Sequence, residues 1–403
     1  MFNETTDDVF KNSEESENNN DLSKIDLSII KNISIGYTDW TGEAIIGQLA
    51  SGNIDLDPSY QRREAWDDLR KSKYIESLIL GFPVPQIVLA EKSNSRGKFY
   101  VIDGKQRLLT IASFSSIASH YKNEEKLKLK GLNFREDLNN LDYDSFSSDS
   151  RYSDDYASFQ NTSIRTVVIK NWQDETILYE IFYRLNTGSL PLSPQELRKA
   201  LIPGDFVNFI ENESFNVAGI RKILNISKPD YRMRDVELLI RYYAFKLYLD
   251  QYQGNLKKFL DFTCETLNKN FQGHQADYIN LLEDLNKAID AVYSIFGDKH
   301  AFRKYKNDIF ENRFNKPIYD VMVYFLSDEN IRKTALSNPS KVKESFTELC
   351  RNEQEFIESI EFSTKNIKPT FNRFSLWSKY LAQALSISMP EFELVDEKKI
   401  TIK

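Results

Sequence analysis

The fold of the N-terminal half is decided by the stretch Phe99-Tyr100-Val101-Ile102-Asp103-Gly104-Lys105-Gln106-Arg107-Leu108-Leu109-Thr110. Its first four residues are apolar and predict a buried strand, the Asp-Gly pair predicts a tight turn, and the following residues predict a helix. The free N–H groups and positive end of a helix favour phosphate, so a strand that delivers Gly and Arg to a helix N-terminus indicates an anion-binding site. The structural alternative is a turn in which Arg107 pairs with a nearby aspartate.

Three side chains of this turn have the chemistry that phosphate handling requires. Asp103 can hold a metal ion or orient a water molecule. Gln106 and Arg107 supply hydrogen-bond donors, and an arginine can bind two phosphate oxygens at once.

The composition is that of an ordinary globular protein of 403 residues, long enough for two or three domains. The net charge of −7 argues against a protein that coats nucleic acid nonspecifically, although it is compatible with a local basic groove. The two cysteines, Cys264 and Cys350, lack metal-ligand spacing and fit a reducing compartment. The sequence shows no signal peptide and no apolar run of about 20 residues, so we expect a cytoplasmic protein that does not span a membrane.

Patterning divides the chain into three parts. Residues 1–24 are polar and acidic, which predicts a disordered tail. Residues 25–203 mix strand-like and helix-like patterns, which predicts an α+β domain with a small mixed sheet. Residues 204–403 read as helices almost throughout and predict an all-helical domain, with the boundary at Pro203-Gly204.

Hydrophobic periodicity locates the elements of the α+β part. Ser193, Pro194 and Glu196 have the pattern of a capping box, which predicts that a helix begins there. Residues 142–158 are rich in Ser, Asp and Tyr and predict a long surface loop or lid. The predicted helices cover residues 41–49, 69–81, 107–121 and 174–186, and the predicted strands cover 86–90, 99–102 and 164–172.

A second polar cluster precedes the turn and consists of Tyr60, Gln61, Arg62 and Arg63 with Trp66. Arginines beside aromatic side chains can grip phosphates and stack on bases. The structural alternative is a surface loop whose Tyr and Trp reach into the core.

Two further clusters follow the last predicted strand. The run 182–188 ends in Asn186-Thr187-Gly188, and Gln195 and Arg198 lie three apart on one face of the next helix. These residues can complete the wall of a nucleotide pocket, or they can be helix caps and surface charge. The cluster 231–237 with Arg241 contains an i,i+4 pair, Glu237 and Arg241, which is typical of a stabilised helix surface. For Arg232 and Arg234, a cationic edge that faces the pocket or a nucleic acid stays an alternative.

Several familiar active-site motifs are absent from the sequence. There is no phosphate-binding loop of the Gly-rich Lys-Ser/Thr type, no G-x-G-x-x-G and no H-E-x-x-H. The three histidines, His120, His274 and His300, are scattered, so sequence neighbours form no histidine-based nuclease centre.

Taken in order, these clusters resemble one bacterial family, the domain that forms the N-terminal half of GmrSD-type, modification-dependent restriction enzymes. Members of that family are similar to ParB and sulfiredoxin in fold, which is therefore the fold that the resemblance implies for residues 25–203. The resemblance spans residues 30–250 well and the remainder loosely. The matching residues are Tyr60-Gln61-Arg62 with Trp66, Leu80 to Pro85, Asp103 to Leu108, Phe182 to Gly188 and Gln195 to Arg198.

The sequence departs from the family at two points. The family's turn usually reads Asp-Gly-Gln-Gln-Arg, and Lys105 replaces the first Gln with a positive charge that phosphate tolerates. Long family members carry a His-metal nuclease domain after the helical region. No such His motif stands in this sequence, so the resemblance does not imply DNA cleavage by this chain alone.

The resemblance implies a protein that binds and hydrolyses a nucleoside triphosphate and acts as a regulator or sensor in a bacterial anti-phage or modification-dependent restriction system. Asp103, Gln106 and Arg107 would be catalytic, and Asp103 would also hold Mg²⁺. The residues that would bind the nucleotide are Tyr60, Gln61, Arg62, Gly104, Lys105, Asn186 and Arg198.

Two other functions stay open at this stage. One is a non-enzymatic module that binds a nucleotide or DNA, modified or phage-derived, and recruits a partner nuclease through its helical half. The other is a ParB-like metal-dependent nuclease, for which the sequence offers no clear second ligand beside Asp103. Assembly as a homo-oligomer is compatible with all three.

Overall fold

The structure is a computed structural model, and its described residues fall into two compact units. The N-terminal unit lies within Ile25–Leu201 and also includes Asp230–Met233, and the helical unit comprises Ile202–Pro229 and Arg234–Lys403. The tail predicted over residues 1–24 lies outside the described residues. The structure describes residues 33–54, 56, 66–93, 95–117, 126–173, 177, 178, 181, 193–361 and 367–403.

The N-terminal unit combines four strands with six helices among its described residues. They are β1 (Ser34–Thr41), α1 (Gly42–Ala50), α2 (Asp68–Ile79), β2 (Ile87–Lys92), β3 (Ser95–Asp103), α3 (Lys105–Ser113), α4 (Tyr143–Ser148), α5 (Ser153–Asn161), β4 (Ser163–Lys170) and α6 (Pro194–Leu201).

The four strands form one mixed sheet in the order β1-β4-β2-β3. The central pair, β4 and β2, is parallel, with Val88 opposite Val167, and the two outer pairs are antiparallel. A core covers one face of this sheet, where Leu89 of β2 is fully buried together with Ile75 of α2 and Leu108 of α3. The predicted small mixed sheet is therefore confirmed, and β3 and α3 flank the Asp-Gly turn as expected.

The prediction of a surface loop or lid over residues 142–158 is wrong. Helices α4 and α5 and a single 3-10 turn occupy this segment. Asp142 caps α4, since its carboxylate accepts the N–H of Ser145 at 2.9 Å. The aromatic side chains Tyr143, Phe146 and Phe159 are buried in the core, so packing of these rings outweighs the polar composition.

Two predicted helices differ from the observed ones at their edges. Helix α3 ends at Ser113 and not at residue 121, because the hydroxyls of Ser113 and Ser115 donate to the carbonyls of Thr110 and Ala112, both at 3.0 Å, and compete with the helical pattern. Leu69, the first residue of the helix predicted over residues 69–81, was expected to be buried with its apolar face, but it is 41% exposed in α2.

The helical unit confirms the prediction of a mostly helical C-terminal half. Its helices are α7 (Asp205–Ser214), α8 (Ala218–Leu224), α9 (Arg234–Tyr248), α10 (Leu256–Asn270), α11 (Gln275–Phe296), α12 (Lys316–Leu326), α13 (Glu329–Ser337), α14 (Pro339–Asn352), α15 (Gln354–Glu361) and α16 (Ile367–Leu385).

Two short hairpins correct the expectation that this half is entirely helical. They are β5 (Arg303–Lys306) with β6 (Ile309–Phe314), and β7 (Phe392–Val395) with β8 (Lys399–Ile402). Asn307 and Asp308 turn the first hairpin with φ of 51° and 63°. Positive φ at both central residues suits the twist of a two-residue hairpin, and Asn and Asp tolerate it.

A buried ion pair joins α9 to α12. Arg241 and Asp320 are both fully buried, and Arg241 Nε donates to Asp320 Oδ1 at 3.0 Å. Glu237 lies 3.8 Å from the same guanidinium. The interpretation of Glu237 and Arg241 as a helix-surface pair is thus wrong for Arg241, whose charge lies inside the unit.

Candidate functional site

The Asp-Gly turn between β3 and α3 requires its glycine. Gly104 has φ of 99°, a left-handed conformation that side chains rarely adopt. A Cβ atom here would lie 3.1 Å from Ile87 Cγ1 and 3.3 Å from Arg107 Nη2. The N-cap residue of α3 is this glycine, which has no side chain with which to cap the helix. The turn therefore brings a glycine backbone to the positive end of the helix.

Replacement of Gly104 by alanine is expected to destabilise the N-terminal unit by about 1–3 kcal/mol, because a Cβ adds strain at positive φ and presses on Arg107. Urea unfolding measures the effect. Gly47 in α1 is the matched control, since a Cβ there meets nothing within 4 Å and alanine favours a helix. Equal stability of Gly104→Ala and Gly47→Ala would contradict the expectation.

Arg107 is buried and only partly paired. Its Nη2 donates to Asp103 Oδ2 at 2.7 Å and to the carbonyl of Gln86 at 2.9 Å. The structural alternative, in which Arg107 pairs with a nearby aspartate, is therefore correct for Nη2. Its Nε is also buried, and it has no hydrogen-bond partner among the residues that the structure describes. A buried donor without an acceptor costs about 1–3 kcal/mol, so a ligand that accepts a hydrogen bond from Arg107 Nε would remove this cost.

Tyr74 of α2 adds a second buried polar group that has no hydrogen-bond partner among the described residues. Its side chain is 7% exposed, and its hydroxyl makes no hydrogen bond within the described part of the chain. Burial raises the pKa of this hydroxyl, and the positive charge of Arg107 partly opposes that shift. The charge of Arg107 therefore acts on this hydroxyl. The sequence alone gives no signal for Tyr74, because it stands among the apolar residues of a helix.

Trp66, which belongs to the second polar cluster of the sequence, packs against Tyr74. Its ring meets Tyr74 edge-on, with centroids 5.7 Å apart, and the guanidinium of Arg70 lies 4.8 Å from the Trp66 ring centre. The Trp66 ring therefore packs against the tyrosine whose hydroxyl is influenced by the charge of Arg107. Four predicted site residues lie outside the described residues: Tyr60, Gln61, Arg62 and Asn186.

Helix α6 joins the turn through a buried ion pair. Lys105 Nζ lies 3.0 Å from Glu196 Oε1, and both side chains are 6% exposed. Glu196 is also the acid of the predicted capping box, which is confirmed: its Oε2 accepts the N–H of Ser193 at 2.7 Å, and Ser193 Oγ accepts the N–H of Glu196 at 3.1 Å. The lysine that departs from the family pattern thus has its charge balanced by Glu196.

Two glutamines of the predicted clusters also have side-chain atoms without a hydrogen-bond partner among the described residues. Gln106 Oε1 and Gln195 Nε2 are buried, and neither makes a hydrogen bond to a described residue. Arg198 Nη1 donates to Gln195 Oε1 at 2.6 Å, which orients that amide. Ser193 Oγ donates to the carbonyl of Arg232 at 2.6 Å, so the segment Asp230–Met233 reaches the same helix start. The N-terminal unit therefore brings together the turn, α6 and part of the fourth cluster.

The described residues offer few ligands for a metal ion. Within the described ranges, no three His, Cys, Asp or Glu side chains are grouped as metal ligands. Asp103 has one carboxylate oxygen paired with Arg107, and its side chain is 19% exposed. It stands alone as a carboxylate of the turn, a suitable partner for a Mg²⁺ ion that is held mainly by a ligand's phosphates.

The family comparison agrees with this arrangement. Residues 45–203 match the model of the GmrSD restriction endonuclease, N-terminal domain, and this span contains the turn, Tyr74 and α6. This part of the chain is therefore similar to the N-terminal domain of GmrSD restriction endonucleases, which agrees with the resemblance that the sequence motifs predicted. No curated protein and no solved structure matches the chain. None of the helices in the described ranges has the length and apolar character needed to cross a membrane.

Proposed function

We propose that the N-terminal unit binds a nucleoside triphosphate at the Asp-Gly turn and hydrolyses it, as the regulatory or sensor component of a bacterial anti-phage or modification-dependent restriction system. The observation that carries this proposal is Arg107 Nε in the first turn of α3, a buried donor without a partner among the described residues, together with the buried Tyr74 hydroxyl, which also lacks a partner there and is influenced by the charge of Arg107. A phosphate oxygen supplies the acceptor that both lack.

Binding of an anion at this turn is energetically favourable. Two buried donors without acceptors among the described residues cost about 1–3 kcal/mol each, and the contacts with Asp103 and Gln86 hold the Arg107 guanidinium in place. A ligand that satisfies such groups gains their hydrogen bonds without the cost of ordering the side chains. Preorganised donors of this kind also stabilise charge that develops in phosphoryl transfer.

The roles of the turn residues follow from their positions. Gly104 lets the phosphate approach the backbone, and Arg107 balances the charge on the transferred phosphoryl group. Gln106 Oε1 has no hydrogen-bond partner within the described ranges, so it can accept from the attacking water. We assign the remaining nucleotide contacts to Tyr60, Gln61, Arg62, Lys105, Asn186 and Arg198.

Asp103 is the residue that would hold Mg²⁺. Its carboxylate has one oxygen on Arg107 and one without a hydrogen bond to a described residue, which fits an ion that takes its other ligands from phosphate and water. When bound, Mg²⁺ neutralises phosphate charge. Asp103 also orients Arg107, whatever the ion contributes.

The test is release of phosphate from ATP, GTP, CTP and UTP with Mg²⁺, with and without DNA, in the full chain. We expect turnover of at least one nucleotide and binding of the same nucleotide when Mg²⁺ is chelated, with lower affinity. If none of the four nucleotides is bound or hydrolysed by folded protein, the proposal is wrong.

The second candidate, a non-enzymatic module that recruits a partner nuclease, is favoured by the charge balance of the turn. Arg107 is paired with Asp103 and Lys105 with Glu196, and the described residues form no acidic metal cluster. This candidate predicts nucleotide or DNA binding without turnover. If DNA is the ligand, affinity should fall steeply with salt. No observation on the described residues favours the metal-dependent nuclease.

Replacement of Tyr74 by phenylalanine separates ligand binding from folding. It should weaken nucleotide affinity about tenfold, since a hydrogen bond to a charged group is lost. Stability should stay unchanged or rise, because the hydroxyl has no partner among the described residues of the free protein. Calorimetric titration and thermal melting measure the two effects.

Tyr152 provides the matched control for this variant. Its hydroxyl donates to the carbonyl of Asp137 at 3.3 Å in the same unit. Tyr152→Phe should therefore lower stability slightly and leave nucleotide affinity unchanged. A Tyr74→Phe variant that binds nucleotide like the wild type would remove Tyr74 from the site.

A further inference from the structure

Arg303 of β5 is an arginine of the helical unit that makes no ion pair with a described residue. Its Nε and Nη1 are buried, and neither has a hydrogen-bond partner among the residues that the structure describes. Arg332 of the same unit shows the usual pattern, since its Nη1 donates to the carbonyls of Leu326 and Ser327, both at 2.9 Å. Burial lowers the pKa of Arg303, which reflects a charge held away from water.

The charge of Arg303 influences the hydroxyl of Tyr293 in α11. Burial raises the pKa of this hydroxyl to about 12, and the positive charge of Arg303 opposes the shift. Lys222 of α8 lies with Nζ 3.8 Å from the centre of the Tyr293 ring. Asp298 pairs with this lysine at 2.7 Å, but it is 77% exposed and makes no ion pair with Arg303.

Close packing of α8 on α11 holds these groups in place. A Cβ on Gly219 would lie 2.7 Å from Ile289 Cγ2, so the two helices touch at this glycine. The Gly219 N–H also donates to Asn286 Oδ1 at 3.0 Å. One turn further along each helix, Lys222 meets Tyr293, and the ring of Phe302 packs edge-on against Tyr293 with centroids 5.9 Å apart. The donors are therefore positioned before any ligand arrives.

We propose that Arg303, Tyr293 and Lys222 form a binding site for a small oxyanion, a phosphate or a carboxylate, in the helical unit. The oxyanion accepts hydrogen bonds from the guanidinium and from the Tyr293 hydroxyl, and Lys222 adds charge at the rim. An arginine presents a planar set of donors that suits both groups. This site belongs to a different unit from the Asp-Gly turn, so it does not depend on nucleotide binding there.

The experiment measures the melting temperature of the full chain in inorganic phosphate, in succinate and in chloride at equal ionic strength. We expect phosphate or succinate at ten times its dissociation constant to raise the melting temperature by about 3 °C over chloride. The rise should persist in Arg107→Ala, which disrupts the other site, and vanish in Arg303→Leu. The phosphate and succinate arms decide which oxyanion the site prefers.

Arg351 supplies the matched control, since it pairs with Asp308 at 2.8 Å and is half exposed. Arg351→Leu should respond to the oxyanion like the wild type. Arg303→Leu should melt in chloride at or above the wild-type temperature, because an apolar side chain replaces a charge without a partner among the described residues. Should that variant fail to fold, Arg303→Lys, which keeps the charge without the planar donors, should lose most of the response.

Two results would overturn the proposal. One is a wild-type protein that melts at the same temperature in all three salts. The other is an Arg303→Leu or Arg303→Lys variant that responds to phosphate or succinate as strongly as the wild type.

Discussion

Alanine at position 107 is expected to reduce nucleotide turnover at least about 100-fold, because it removes the group that we assign to the phosphoryl charge. The same change removes the partner of Asp103 and the donor to the Gln86 carbonyl. Nucleotide affinity should therefore fall as well, while the core around Leu108 keeps the unit folded. Phosphate release at saturating nucleotide and circular dichroism measure the two properties.

Two further variants sharpen this test. Arg107→Lys keeps the charge but not the planar donors, so its turnover should lie between the wild type and alanine. Arg135 is the matched control in the same unit, since it pairs with Asp137 at 2.8 Å and also with Asp155, and is partly exposed. Arg135→Ala should cost stability and leave turnover unchanged. Turnover that survives in Arg107→Ala would move the catalytic site away from the turn.

Replacement of Asp320 by alanine should cost about 3–5 kcal/mol of stability, because it removes a buried carboxylate that is hydrogen-bonded to the buried Arg241. Both side chains are fully buried in the helical unit, and Glu237 lies at 3.8 Å, too far to replace a hydrogen-bonded partner. Urea unfolding followed by circular dichroism measures the loss.

A double variant and a surface control complete this experiment. Arg241→Met with Asp320→Leu should recover most of the lost stability, since apolar residues of similar size can replace a buried ion pair. The exposed pair Glu329–Lys333 is the control, and Glu329→Ala should change the free energy of unfolding by less than about 0.5 kcal/mol. An Asp320→Ala variant within about 1 kcal/mol of the wild type would show that the pair is not a major source of stability.

Local patterns were sufficient wherever short-range physics decides the structure. The strand, the Asp-Gly turn and the helix around Gly104 followed from apolar residues and one glycine, and the capping box at Ser193 and Glu196 followed from spacing alone. The same reasoning failed over residues 142–158. There, the aromatic rings of α4 and α5 gain more by burial in the core than their polar neighbours gain from a loop.

The sequence by itself therefore determined an α+β domain, the Asp-Gly turn and a helical C-terminal half. Only the tertiary structure decided which side chains surround Arg107 and where charges are balanced. Lys105 and Glu196, which form an ion pair, are 91 residues apart in sequence, and the charge of Arg107 acts on the hydroxyl of Tyr74 in another helix. Such contacts depend on how helices pack over the sheet, and helix packing is set by the whole buried surface and not by any local pattern.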